Sequence, residues 1–375
     1  MMKRNFLAVA IPALLAAGSV NAAEIYNKNA NKLDLYGKVA AEHNWTTTGD
    51  NTTNADGTYA QLGFKGETQI SDQLTGYGQW EYRAYADADE GKGSQRQRTR
   101  LAYAGLKIAD AGSLDYGRNY GIVYDVESWT DMAPSFSGET WAGNADNYMT
   151  GRTVGVLTYR NSDFFGLVDG LHFGAQYQGK NESGNINTQN GDGFGFSLGY
   201  DYEGFGIIGA YSKSDRSDAQ TNDDNNGSNA EAWSTGLKYD ANNIYLAAVY
   251  TETRNMTYVS KDVTYADGSS ETLRTNLNKT QNFEAIAQYQ FDFGLRPSIS
   301  YVKSKGKNLP IGANGYSDAT LAEYVTLGAS FYFNKNFSVY GDYRINMMSE
   351  NAFTRTYGSF VGSEDNAMLG VAYQF

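Results

Sequence analysis

Groups able to do covalent chemistry are scarce in this chain: it has no cysteine, and His43 and His172 are its only imidazoles. A serine or aspartate hydrolase would need one of them as a base oriented by a partner. His43, in AEHNW, and His172, in GLHFGAQY, lie in no nucleophile motif. The alternating glycines of GDGFGFSLGY have no helix after them, so they read as points of strand curvature and close approach rather than a dinucleotide loop. TNDDNNGSNAE lacks the ligand spacing and flanking helices of an EF-hand. No catalytic residue, metal site or cofactor is expected.

What the chain offers instead is charge laid out with a period of two. In SQRQRTRLAYAG, Arg96, Arg98 and Arg100 share one face of an extended segment and Leu101 and Tyr103 the other. In LDLYGKVAAEH, Asp34, Tyr36, Lys38 and Glu42 lie opposite Leu33, Leu35, Val39 and Ala41, and Arg152 opens a further segment. Between residues 120 and 150 the alternation breaks into a stretch holding Pro134 and the acids Asp125, Glu127, Asp131, Glu139 and Asp146. A connection that long without a period of its own is functional or disordered. Acids facing a basic wall across water would set up a transverse field that orients dipolar solutes and slows large or apolar ones.

The elements that must position these charges are strands. In AMLGVAYQF, Ala367, Leu369, Val371, Tyr373 and Phe375 share one apolar face, and in QNFEAIAQYQF, Phe283, Ala285, Ala287, Tyr289 and Phe291 lie opposite Asn282, Glu284, Gln288 and Gln290. Sixteen such segments are expected, at 32–45, 58–71, 74–86, 98–108, 113–119, 151–160, 171–179, 193–203, 205–216, 231–240, 243–254, 279–291, 295–306, 322–333, 337–348 and 366–375. Many are about ten residues long, the length of a tilted strand crossing a bilayer. Short links such as SDQL and DANN alternate with long ones at 217–230, 255–278 and 349–365.

Lys3 and Arg4, an apolar run from Phe6 to Ala17 and Val20-Asn21-Ala22 give residues 1–22 the form of a signal peptide, leaving residues 23–375 as a single unit. Removing two positive charges takes the formal charge from −12 to −14, which argues against a nucleic-acid partner. No later apolar run is long enough for a transmembrane helix, so a membrane would be crossed only as a closed barrel. The expected fold is all-β: a sixteen-stranded antiparallel transmembrane β-barrel in the outer membrane, wide enough for an aqueous channel.

The segments AEIYNKNANKLDLYGK, LGFKGETQI, TRLAYAGLK, DYGRNYG, GLKYDANNIYLAA, QYQFDFGLRPSI and FYFNKNFSVYGDY, with the terminal YQF, closely resemble the general diffusion porins of the Gram-negative outer membrane. The resemblance implies a homotrimer whose third loop, about 120–150, folds inward to form an eyelet for passive diffusion of ions and small hydrophilic solutes. It implies lipopolysaccharide and outer-membrane lipid as surroundings, and the barrel-assembly machinery as a partner through Phe375.

By the same resemblance, Lys38, Arg98, Arg100 and Arg152 form the basic side of the constriction, Asp131 is one of its acids, and Glu90 latches onto a neighbouring subunit. Two positions depart from the family: Gln61 stands where arginine is usual, and Ser135 where glutamate is usual. Glu139 and Glu127 are the candidates to replace that acid. A wider, less polarised eyelet with a weak cation preference is expected. The competing readings are a substrate-specific porin, an outer-membrane enzyme, and a plugged receptor or adhesin barrel.

Overall fold

The computed structural model describes residues 23–48, 54–89, 96–137, 140–141, 144–224, 226–265, 267–311 and 315–375. The expected signal peptide, Glu90 and Glu139 lie outside them. Sixteen strands form the wall, one for each expected segment. The first eight are β1 (Asn31–Thr46), β2 (Tyr59–Ser71), β3 (Leu74–Tyr85), β4 (Gln97–Ile108), β5 (Gly112–Tyr120), β6 (Arg152–Asn161), β7 (Leu171–Gln178) and β8 (Gly193–Tyr202). The others are β9 (Phe205–Asp215), β10 (Asn229–Ala241), β11 (Ile244–Thr264), β12 (Ser270–Tyr289), β13 (Leu295–Ile311), β14 (Gly315–Tyr332), β15 (Phe337–Asn346) and β16 (Asn366–Gln374).

Each strand is antiparallel to the next, and β16 pairs with β1 from Asn366 opposite Thr46 to Gln374 opposite Lys38, closing the barrel. Closure removes the unpaired edge that lipid could not satisfy. The segment Ala23–Lys28 takes over where β16 ends, pairing with the start of β1. Phe375 and Gly37 exchange both backbone hydrogen bonds at 3.0 Å, and the Phe375 ring lies over the glycine, 2.7 Å from where a Cβ would stand. Both ends of the described chain, Ala23 and Phe375, therefore meet at one rim.

Period two decides which residues meet lipid. Val39, Leu198, Leu237, Leu327 and Leu369 are exposed outward, whereas their neighbours Lys38, Ser197, Lys238, Thr326 and Met368 point into the barrel. The terminal rim is built of tight turns, such as Asn242-Asn243, where φ of 55° and 64° matches the hairpin twist. Long connections gather at the other rim. One of them differs from expectation: 255–278 is mostly ladder, because β11 and β12 continue past a register shift at Arg254 to a tight end near residue 267. Inward Val259 and Leu277 pack there with Leu309, Leu321 and Phe353, the last from a short helix (Ala352–Tyr357) in the final loop.

A second difference concerns the arginine ladder. Glu81 on β3 is opposite Leu101 and Tyr82 is opposite Thr99, so Arg100 is the extra residue of a β-bulge. The bulge resets the alternation, and Leu101 and Tyr103 face inward together with Arg98 and Arg100. Tyr103 donates to Gln79 at 2.7 Å, Gln79 to Tyr36 at 2.7 Å and Tyr36 to Glu81 at 3.1 Å, tying β1, β3 and β4 together inside the barrel.

Tyr36 can cross the neighbouring strand only because Gly63 has no side chain; a Cβ there would lie 2.4 Å from the Tyr36 ring and 2.7 Å from the Trp80 carbonyl. Gly63→Ala should cost about 1–3 kcal/mol through overpacking and lower the unfolding temperature of the detergent-solubilised barrel. An unchanged melting curve would show that the ring is not held by this contact.

Candidate functional site

The connection between Tyr120 and Arg152 turns into the barrel. Its two legs are pinched at the root, where Gly121 N–H donates to the Gly151 carbonyl at 2.7 Å and Val123 N–H to Met149 at 3.2 Å. A Cβ on Gly121 would lie 2.2 Å from the Met149 backbone, so the crossing needs glycine. A short turn of helix, α1 (Tyr124–Glu127), then lays Ile122, Val126 and Trp129 on the inner wall. That wall is stripped of side chains: Cβ atoms on Gly174, Gly195 and Gly236 would come within 2.7, 2.5 and 3.1 Å of Ile122, Ile122 and Trp129 respectively. Ala210, Ala230, Ala232 and Ala247 complete the floor.

Polar anchors fix the loop along this path. Asp125 receives both guanidinium nitrogens of Arg160 at 2.7 and 2.8 Å, and Ser197 at 2.8 Å. Tyr245 donates to the Trp129 carbonyl at 2.7 Å, and Gln288 to that of Met132 at 2.9 Å. The hydroxyls of Thr130 and Thr140 reach Glu284 at 3.2 and 2.5 Å. At the tip, Ser135 and Phe136 donate their backbone N–H groups to Asp342 on β15 at 2.6 and 3.2 Å. The Phe136 ring sits among Ala40, Tyr59, Tyr340, Met368 and Ala372. The loop thus covers the β7–β12 side, its tip reaches β15, β16, β1 and β2 through Phe136, and the passage is left between that crossing and the wall of β1–β6.

Lys38, Arg98, Arg100 and Arg152 all lie on that uncovered side. Lys38 stands 5.8 and 5.5 Å from the Tyr59 and Tyr340 ring centres, and Arg98 donates to the Tyr85 hydroxyl at 2.6 Å. Arg152 is in register with Tyr120 at the loop's root. Gln61 accepts from Arg83 Nε at 2.9 Å. Arg100 is different, since its Nε pairs with Glu81 at 2.6 Å and much of its charge is compensated on its own wall. On the terminal-rim side of the loop the lumen widens into a cavity of about 760 Å³ bordered by Tyr77, Tyr103, Tyr120 and Tyr124.

The acids do not behave as the sequence suggested. Asp125 is spent on Arg160, and Asp146 on Arg118 at 2.7 Å and the Val154 N–H at 3.1 Å. Glu127 is 0 % exposed, wedged between loop and wall beside Glu284, so it cannot replace the missing eyelet acid. Asp131 remains, held by Tyr124 at 2.5 Å and Ser137 at 2.7 Å, and no cation among the described residues pairs with it. Neither histidine sits beside a hydroxyl nucleophile among the described residues: His43 neighbours Trp45 and Asn54, and His172 lies 3.5 Å from Asp201.

Arg83, Glu81, Glu284 and Asp342 were missed. Arg83 and Glu81 were within reach, because Tyr77, Gln79, Glu81, Arg83 and Tyr85 form the polar face of LTGYGQWEYRAY. Nothing local in VYGDYRIN says that Asp342 will cap a loop tip more than two hundred residues earlier in the chain.

The family model described as Gram-negative porin matches residues 28–375. Outer membrane porin F of Salmonella typhi is 62% identical over 377 residues, covering 100% of both chains. Outer membrane porin protein OmpD of Salmonella typhimurium is 56% identical over 378 residues, again covering 100% of both. The solved Salmonella typhi OmpF complex with daunomycin is similar with a TM-score of 0.85 and 60% identity, over 94% of this chain and 100% of that one. An anion-selective porin from Comamonas acidovorans shares the fold at TM-score 0.63 and 16% identity, over 92% of this chain and all of the other.

Glu127 belongs to the loop rather than to a spanning strand. No N–H or hydroxyl of the described residues reaches its carboxyl; burial, and then the charge of Glu284, hold it well above the usual carboxylate range. A group raised on folding contributes stability that is complete below the unfolded value of about 4.3 and is lost as pH rises towards the folded one. Glu127→Gln should therefore match the parent near pH 4 and exceed its thermal stability in detergent near pH 8. Parallel pH profiles would mean that Glu127 is ionised in the folded protein.

Proposed function

The chain belongs to the Gram-negative porin family and is an outer-membrane channel for passive diffusion of small hydrophilic solutes, and from that premise we propose how its lumen selects them. The passage runs between Lys38, Arg98, Arg100 and Arg152 on the barrel wall and Asp131 on the loop. The observation that carries this reading is the docking of the described loop residues 121–137, 140–141 and 144–151 against β7–β12 and, at the tip, β15, which confines solutes to the wall bearing those cations. Among the described residues Lys38, Arg98 and Arg152 make no ion pair, so their fields act on the lumen water.

A field across a water-filled, low-dielectric-walled slot favours small polar solutes that can reorient, and it penalises apolar ones that must shed water. Ser135 presents no charge at the loop tip, and Gln61 none on the wall, which leaves the slot less polarised than arginine and glutamate there would make it. The chain has no catalytic role in this reading. It assembles as a homotrimer, with Glu90 reaching a neighbouring subunit and lipopolysaccharide around the rim. Phe375, held over Gly37, is the residue offered to the barrel-assembly machinery.

Planar-bilayer recording tests the scheme. Ohmic current in triplet steps is expected, whereas saturation by one sugar would mark a substrate-specific pore and absence of current a plugged barrel. Ser135→Glu should raise the cation-to-anion permeability ratio roughly twofold at low salt, where screening is weakest. An unaltered reversal potential would remove Ser135 from the constriction.

A further inference from the structure

Four inward side chains on four consecutive strands stand in one cross-strand row. Lys38 on β1 is opposite Gln61 on β2, Gln61 is opposite Arg83 on β3, and Arg83 is opposite Arg98 on β4. Directly paired side chains of this kind lie about 4.5–5.5 Å apart at Cβ, and like charges so placed repel. The row manages that repulsion by two means. Gln61 is a neutral spacer whose amide oxygen takes Arg83 Nε at 2.9 Å. The Tyr59 ring lies 3.9 Å from the Arg83 guanidinium carbon, and the Tyr85 ring 5.0 Å from that of Arg98, so each cation rests against an aromatic face.

Three other arginines of this wall are given away, Arg100 to Glu81, Arg118 to Asp146 and Arg160 to Asp125, whereas Arg152, like Arg98, makes no ion pair among the described residues. Arg83 makes no ion pair among the described residues: its Nε donates to Gln61, and its guanidinium also meets the Tyr85 hydroxyl. Neither partner is a carboxylate, so its charge stays uncompensated and its terminal amino groups keep hydrogens for the fork geometry that matches a carboxylate or phosphate bidentately. We infer that Arg83 is a specificity-determining residue of the pore, presenting an open guanidinium fork to solutes bearing a carboxylate or phosphate, and that Gln61 is the neutral residue positioning it. This rests on the porin reading of the lumen. It also changes what the neutral Gln61 means: the positive charge absent from that position stands one strand away at the same level.

The full-length channel in planar bilayers decides the matter, with potassium chloride gradients and with potassium acetate and potassium phosphate as probe salts. Arg83→Gln should raise the cation-to-anion permeability ratio at low salt about twofold. The exchange Gln61→Arg with Arg83→Gln should bring the chloride ratio back towards that of the parent, because the row regains its charge. Arg83→Lys should keep the chloride ratio and lose the preference for acetate and phosphate over chloride, since an ammonium is a point charge. If Arg83→Gln conducts normally with an unchanged ratio, or if Arg83→Lys behaves like Arg83→Gln, the inference falls while the channel reading stands. If the unsubstituted protein carries no current, the channel reading itself has failed.

Discussion

A ridge of loop side chains seated on an inner wall made of glycine and alanine is the contact on which the channel depends. Ile122, Val126 and Trp129 occupy space that ordinary side chains on β7, β8 and β10 would fill. Each buried apolar side chain returns about 1.5–3 kcal/mol, but ordering some thirty loop residues costs about 1–2 kcal/mol apiece in backbone entropy. The ridge alone is therefore insufficient. This explains why so many wall groups, Arg160, Gln176, Tyr245, Glu284, Gln288 and Asp342, reach for the loop backbone, its hydroxyls and its acids. Without that combination the barrel would be an unobstructed tube.

Anchoring and selecting compete for the same charges. An acid paired with arginine on the wall holds the loop but contributes little net field, as Asp125 and Asp146 show. An acid buried at the interface, as Glu127 is, contributes none once protonated. A carboxylate held by neutral donors keeps its charge, and Asp131, bound by two hydroxyls, meets that condition. On the opposite wall the distinction recurs between Arg100, bound to Glu81, and Arg83, bound to a neutral amide.

Period two made the barrel legible. Alternation in AMLGVAYQF, QNFEAIAQYQF and GLKYDANNIYLAA is enforced by lipid on one side and water on the other, so each strand carries its own signal. The glycines of GDGFGFSLGY also made sense locally as sites of close approach, and Gly195 does receive Ile122. The bulge at Arg100 was not legible, since one inserted residue leaves composition untouched while flipping Leu101 and Tyr103 inward. Nor were the fates of Asp125 and Glu127: they depend on Arg160, Ser197 and Glu284, distant residues brought near by barrel closure rather than by any local pattern.

The loop tip shows how such a pore can vary without losing its fold. Asp342 takes the backbone N–H groups of residues 135 and 136, a contact indifferent to the side chain at 135, and the neighbouring Phe136 ring supplies the packing. Holding is thus assigned to main chain and phenylalanine, and selecting is left to whatever side chain position 135 bears. Gln61 and Arg83 divide labour in the same way on the facing wall, where a row of four positions carries three cations and one neutral residue that separates Lys38 from Arg83. Because repulsion between adjacent inward cations grows as they are crowded, the neutral member can move along the row more easily than it can be dispensed with. On the proposed reading, selectivity in this barrel is set by where the neutral position falls as much as by how many charges the wall carries.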